Sequence, residues 1–113
     1  MVGSRFESAD LSAITISGGD WSYVTLRKQK MDGMLLRDIR FIGADLYGCS
    51  LVGSDLRGAI LAKAHLEHGK LSKADMRGAD VSEIDFRTID LKGTRMTVDQ
   101  ALLVALSYGV VLE

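Results

Sequence analysis

The chain holds little of what most functional readings start from. It carries one cysteine, Cys49, in 113 residues, so no internal disulfide can form and a disulfide-stapled secreted scaffold is excluded. No apolar run approaches the ~20 residues of a membrane-spanning helix. The N-terminal Met-Val-Gly-Ser-Arg-Phe-Glu lacks the apolar stretch of a secretory leader, and the expected location is the cytoplasm, with no membrane partner. Charge of one sign is missing as well. Fourteen Lys and Arg stand against fifteen Asp and Glu, so no overall field points to direct contact with nucleic acid or to an acidic bilayer. No glycine-rich phosphate loop precedes a helix and no carboxylate pair is set in a pocket. We therefore expect no enzyme activity, no catalytic residue and no cofactor. His65 and His68 lie three apart with no cysteine or second histidine pair near them, and read as surface residues rather than metal ligands.

What is present is a period of five. From Phe6 to Met96 every fifth residue is large and apolar, nineteen positions without exception. Chance would give such a run with a probability of roughly 10⁻⁸. Two residues before each lies a mostly small one, including Ala44, Cys49, Ser54, Ala59, Ala64, Gly69, Ala74 and Ala79, often followed by Asp. Two residues after the large one, glycine recurs at 18, 33, 43, 48, 53, 58, 78 and 93. The unit is Ala-Asp-Leu-x-Gly, undiluted at 44–48 and with Met in place of Leu at 74–78.

A spacing of five spreads side chains all around an α-helix and sends them to alternate faces of a straight strand, so neither element can bury this series. A bend after each unit restores one inward direction, because residues two apart share a strand face. Glycine favours the bend and the intervening Asp points to water. Cys49 then faces inward as a packing residue rather than a nucleophile. The filled axis leaves no substrate cavity.

This pattern resembles the pentapeptide-repeat proteins over residues 4–98. The resemblance implies an all-β solenoid, a right-handed quadrilateral β-helix with twenty residues per coil, here nearly five coils over residues 1–96. Its ladders would be Phe6/Leu26/Leu46/Leu66/Phe86, Leu11/Met31/Leu51/Leu71/Leu91, Ile16/Leu36/Leu56/Met76/Met96 and Trp21/Phe41/Leu61/Val81. Larger residues, Ile14, Val24, Gln29, Met34 and Ile39, enter the small track early in the chain, which predicts distortion between residues 12 and 42. Thr88 and Val98 are β-branched at corners where a positive φ is strained, which predicts another turn type there.

Residues 97–113 follow a different rule. Thr97-Val98-Asp99-Gln100 reads as a capping box that opens a helix over about 98–108. Gly109 stands at its C′ position, and Val110 to Leu112 read as a short strand. The apolar arc of this helix, about 200°, is twice what packing on one surface requires. We expect one side to cap the solenoid and the other to meet its symmetry mate in a homodimer, through Leu102, Leu103, Leu106, Tyr108 and Val110.

The run from Gly93 to Val111 also resembles the C-terminal end of the quinolone-resistance pentapeptide proteins, and Gly78 to Thr88 is similar to the mycobacterial member. That resemblance implies a dimer made at this end and a DNA-mimicking rod that binds DNA gyrase or another topoisomerase. Arg37, Arg57 and Arg77, twenty apart and flanked by Asp55 and Asp75, predict a self-neutralised face. The local acidic excess at Asp80, Glu83, Asp85 and Asp90 is the candidate partner surface. The alternative function is a general protein-binding scaffold or regulatory binder unconnected with DNA topology.

Overall fold

The computed structural model describes residues 19–111. Their backbone coils with a period of twenty. Parallel bridges link Asp20 to Arg40, Thr25 to Asp45, Lys30 to Ser50 and Leu35 to Asp55, and the pattern repeats up to Asp75 with Arg95. Within a face, Leu46 donates to His65 O at 2.8 Å, His65 to Ala44 O at 2.9 Å and Gly48 to Glu67 O at 2.9 Å. With no proline in the sequence, every residue has an N–H to give to such a ladder. We name the four faces by their central residues: the Trp21, Leu26, Met31 and Leu36 faces. Ladder positions Phe6, Leu11 and Ile16, and the first part of the expected five coils, lie outside the described residues.

The interior is apolar and closed. Leu26, Met31, Leu36, Phe41, Leu46, Leu56, Leu61, Leu71, Met76 and Phe86 are fully buried, as are the smaller Ala44, Cys49, Ala59 and Ala74 two residues ahead of their neighbours. Each such large side chain contributes about 1.5–3 kcal/mol by leaving water.

The corners carry the cost. The residue two after each central one has a positive φ at Gly33, Gly43, Gly48, Gly53, Gly58, Gly78 and Gly93, but also at Tyr23, Lys28, Asp38, Lys63, His68, Lys73 and Glu83. An L residue held there costs roughly 1–2 kcal/mol. The turn is therefore imposed by the ladder and the inward apolar pairs, and glycine only makes it cheaper.

In the described part of residues 12–42, where the sequence leads us to expect distortion, the bridges keep their register from Asp20 onward; residues 12–18 lie outside the described residues. The volume is absorbed at the corners instead. Where the track residue is small, the corner hydrogen bond is short, as in Ala44 to Phe41 O at 3.0 Å and Ala64 to Leu61 O at 2.9 Å. Where it is large the corner opens: Val24 to Trp21 O is 3.3 Å, and Gln29 to Leu26 O and Ile39 to Leu36 O are 3.4 Å. At Met34 the N–H donates instead to Ser54 Oγ at 3.3 Å, while that hydroxyl donates to Met31 O at 2.7 Å. Large track residues in one coil also stack on Ala44, Cys49, Ser54 and Ala59 in the next, so local volume stays even.

The ladder breaks elsewhere, at Asp85 to Thr88. No bridge joins His65 to Asp85, and Thr88 is not among the positive-φ residues, although Ile89 still donates to Phe86 O at 3.1 Å. A β-branched side chain resists the left-handed region, so this corner takes another turn, as its sequence predicts. His68 N–H then donates to Thr88 Oγ1 at 3.0 Å.

One helix, α1 (Val98–Ser107), closes the end. Its capping box is formed: Gln100 N–H donates to Thr97 Oγ1 at 3.2 Å and Thr97 N–H to Gln100 Oε1 at 2.8 Å. Tyr108 is the C-cap, and Gly109, with φ of 81°, allows Gly109 N–H to reach Leu106 O and Val110 N–H to reach Ala105 O, a Schellman closure. The strand expected after it is absent within the single chain: Val110 and Val111 are exposed and unladdered, and Leu112 lies outside the described residues.

Candidate functional site

The helix is fastened by a residue whose role at the cap was legible but whose second role was not. Gln100 is buried, and its Nε2 donates to Met76 O at 2.5 Å and Ala79 O at 2.9 Å. At the other end, Tyr108 Oη donates to Phe86 O at 3.2 Å and Phe86 N–H to Ser107 Oγ at 3.4 Å. α1 thus spans the last coil from the Leu36 side to the Leu26 side.

What α1 turns away from the solenoid is apolar. Val98 is 77% exposed, Leu102 43%, Leu103 42%, Leu106 52%, Tyr108 53% and Val110 47%. All five residues assigned to the dimer interface are thus uncovered in the single chain and lie on one terminal module. A helix side of this composition is normally covered.

The acidic residues Asp80, Glu83, Asp85 and Asp90 all fall in the last coil but on three successive faces, starting the Trp21, Leu26 and Met31 faces at Asp80, Asp85 and Asp90. Each also has local work. Asp80 accepts from the Ser82 N–H and hydroxyl, which hold its carboxyl below the usual range. Glu83 lies 3.7 Å from Lys63 Nζ. Arg87 grips Asp85 at 2.8 Å, and that hydrogen bond lowers the carboxyl from 3.8 to about 2. Asp90 accepts from Lys92 N–H. The acidic excess is therefore a collar around the rim beside α1 rather than one patch.

On the Leu36 face the arginines and aspartates interleave. Asp55 takes Arg37 at 2.8 Å and Arg57 at 2.9 Å, while Asp75 takes Arg77 at 2.7 Å with Arg57 3.7 Å away. The charges cancel along the column, and such exposed pairs are each worth about 0–1 kcal/mol. On the Leu26 face a shallow recess of about 370 Å³ is lined by Arg27, Asp45, Tyr47, His65 and Glu67. Arg27 sits 4.5 Å above the Tyr47 ring, His68 meets that ring edge-on at 5.3 Å, and His65 Nδ1 is 3.6 Å from Glu67. The two histidines are thus engaged separately, and among the described residues no three potential ligands converge on a metal position.

Cys49 is fully buried beside Leu26 O, and burial pushes its thiol up to about 11. A thiol held protonated is no nucleophile. Ser54 and Thr94 repeat its arrangement, donating to the carbonyls of Met31 and Leu71 in the preceding coil. These inward polar groups are spent on the framework.

The five-residue pattern of the coil is recognised at the level of sequence: a model of pentapeptide repeats matches in eight copies, over residues 22–58, 39–78 and 49–88. The chain belongs to the pentapeptide-repeat family. Among solved structures, this repeat protein is similar to trypsin-treated QnrB1, a plasmid-mediated fluoroquinolone resistance protein, with a TM-score of 0.74 and 24% identity over 99% of this chain and 60% of that one. It is also similar to HetL, a pentapeptide-repeat protein involved in heterocyst differentiation regulation from the cyanobacterium Nostoc sp. strain PCC 7120, with a TM-score of 0.57, 25% identity and coverage of 84% and 46%. A pentapeptide-repeat protein of the Arabidopsis thaliana thylakoid lumen gives 0.51, 26%, 88% and 77%. These likenesses carry the right-handed quadrilateral β-helix. The repeat protein spans about 60% of the length of QnrB1. Comparison with curated proteins finds no match. Among the described residues, no helix is long and apolar enough to cross a membrane.

Proposed function

We propose that this pentapeptide-repeat protein is a non-enzymatic, macromolecule-binding homodimer that engages DNA gyrase or another topoisomerase by surface complementarity. The observation that carries the reading is the terminal module: a capped helix fastened to the last coil by Gln100 and Tyr108, with Leu102, Leu103 and Leu106 left facing water. A self-complementary apolar end of this kind favours a twofold pair. The sequence of this module resembles that of the quinolone-resistance proteins, and the fold is shared with QnrB1. Pairing through α1 brings two acidic collars, Asp80, Glu83, Asp85 and Asp90, to the middle of the dimer, where their fields add.

A second reading, binding to a partner unconnected with DNA topology, is favoured by the charge pattern. Imitating duplex phosphates calls for an acidic excess, whereas the Leu36 face neutralises itself and residues 1–98 hold fourteen basic and thirteen acidic residues.

Purified protein added to gyrase supercoiling reactions, with and without a quinolone, separates the two. The topoisomerase reading predicts inhibition of supercoiling or protection from the drug at micromolar concentration. No inhibition, no protection and no binding leaves the second reading.

A further inference from the structure

The four faces do not treat their charges alike. Arg27, Arg37, Arg57, Arg77 and Arg87 each pair with an aspartate, and Lys63 lies within ion-pair reach of Glu83. Among the described residues, Lys28, Arg40 and Arg95 also lack such a pair, one to each of the other faces, whereas the Met31 face gathers four such cations. Its outward positions carry Lys30, Lys70, Lys73 and Lys92, all exposed, and among the described residues none of them has a carboxylate partner within 4.0 Å. Among the described residues, the two aspartates of the face are turned to their own framework: Asp32 accepts from Ser50 Oγ and from Val52 N–H at 3.1 Å, and Asp90 accepts from Lys92 N–H at 3.1 Å.

Three of the lysines crowd together. Lys73 N–H donates to Lys92 O at 3.0 Å, so the two residues are ladder neighbours, and Lys70 starts the same stretch of chain as Lys73. The stem of Lys73 runs along the rod over Gly93, where an added Cβ would lie 3.4 Å from Lys73 Cγ. Like charges so placed repel one another and do nothing for folding.

We infer that the Met31 face is a docking surface for an acidic segment of a partner protein, held through Lys30, Lys70, Lys73 and Lys92. Charge complementarity selects a polyanion, and three features select protein over nucleic acid. Among the described residues, the face holds no aromatic residue on which a base could stack and no arginine to fork onto a phosphate. The basic area is short, four coils at about 4.8 Å, or ~15 Å of rise. A longer rigid polyanion lying along the rod would overrun it and meet the Asp99 that opens α1. Lysines on flexible stems suit a cluster of carboxylates that fits within the area. This surface is separate from the α1 module, so the inference does not depend on the topoisomerase reading.

The test uses the full chain and a fluorescein-labelled twelve-residue Glu-rich peptide, followed by anisotropy at 50 mM NaCl. We expect saturable binding that weakens at least tenfold in K70Q/K73Q/K92Q, weakens roughly tenfold on raising salt to 200 mM, and stays within twofold in K63Q on another face. A second set, K70E/K73E/K92E, checked by circular dichroism for an unchanged fold, should abolish it. Absence of peptide binding by the parent, binding by either triple variant as tight as the parent's, or tighter binding of a 20-base-pair duplex than of the peptide would overturn the inference.

Discussion

Ser54 shows how much a single inward side chain decides. Its hydroxyl stands where the 31–34 corner opened for Met34, taking the Met34 N–H and giving its proton to Met31 O. Ser54→Ala strands both groups in an apolar interior, and thermal unfolding should show a loss of about 1–3 kcal/mol. Gly53 and Gly69 make a sharper pair. Gly53 has φ of 68° with nothing within 4 Å of an added Cβ, whereas at Gly69 a Cβ would lie 2.8 Å from Leu66 O and 3.3 Å from Cys49 O, both backbone atoms. Gly53→Ala costs only the left-handed strain, about 1 kcal/mol, and Gly69→Ala should cost more, ~2–3 kcal/mol. Equal shifts in melting temperature would contradict the packing described around Leu66. The inward ladders of the described coils were legible in the sequence because a period of five admits one architecture. The opened corners were not, since the sequence shows that Val24 and Met34 are large but not that a hydrogen bond yields before the register does.

At the scale of elements, the faces and α1 respond to different perturbations. Asp75 and Asp85 are lowered below 3.8 first by side-chain hydrogen bonds from Arg77 and Arg87, with Asp85 at about 2. A carboxyl lowered in the folded state contributes stability above its unfolded value, and that contribution disappears as pH falls through the folded one. The melting temperature should therefore hold from pH 7 to about 4 and drop between about 4 and 2. Asp85→Asn should flatten the last part of that drop; an unchanged profile would show that the Arg87 pair contributes nothing. For α1, Gln100→Glu sets a carboxylate against Met76 O and Ala79 O, so the helix should lift from the coil and its amides exchange at least tenfold faster, while Gln100→Met keeps the volume and loses less. The cap itself was readable from Thr97 and Gln100. Its docking was not, because it depends on carbonyls 21 and 24 residues away.

For the whole molecule, the fold removes the interior as a place for chemistry and leaves function to the outside. The acidic residues that the sequence groups within eleven positions are spread by the coil over three faces, because five residues turn one corner. In the proposed dimer their concentration would be restored at the seam, where two collars would meet. That makes the seam the element on which the proposed function rests. Leu103→Glu with Leu106→Glu alters two exposed side chains and no described ladder contact, so the variant should remain folded. The decisive measurement is the solution mass by light scattering at tens of micromolar, for the parent and for this variant. The account predicts twice the 12.3 kDa chain mass for the parent and the single chain mass for the variant. A monomeric parent, or a variant of unchanged dimeric mass, would contradict it.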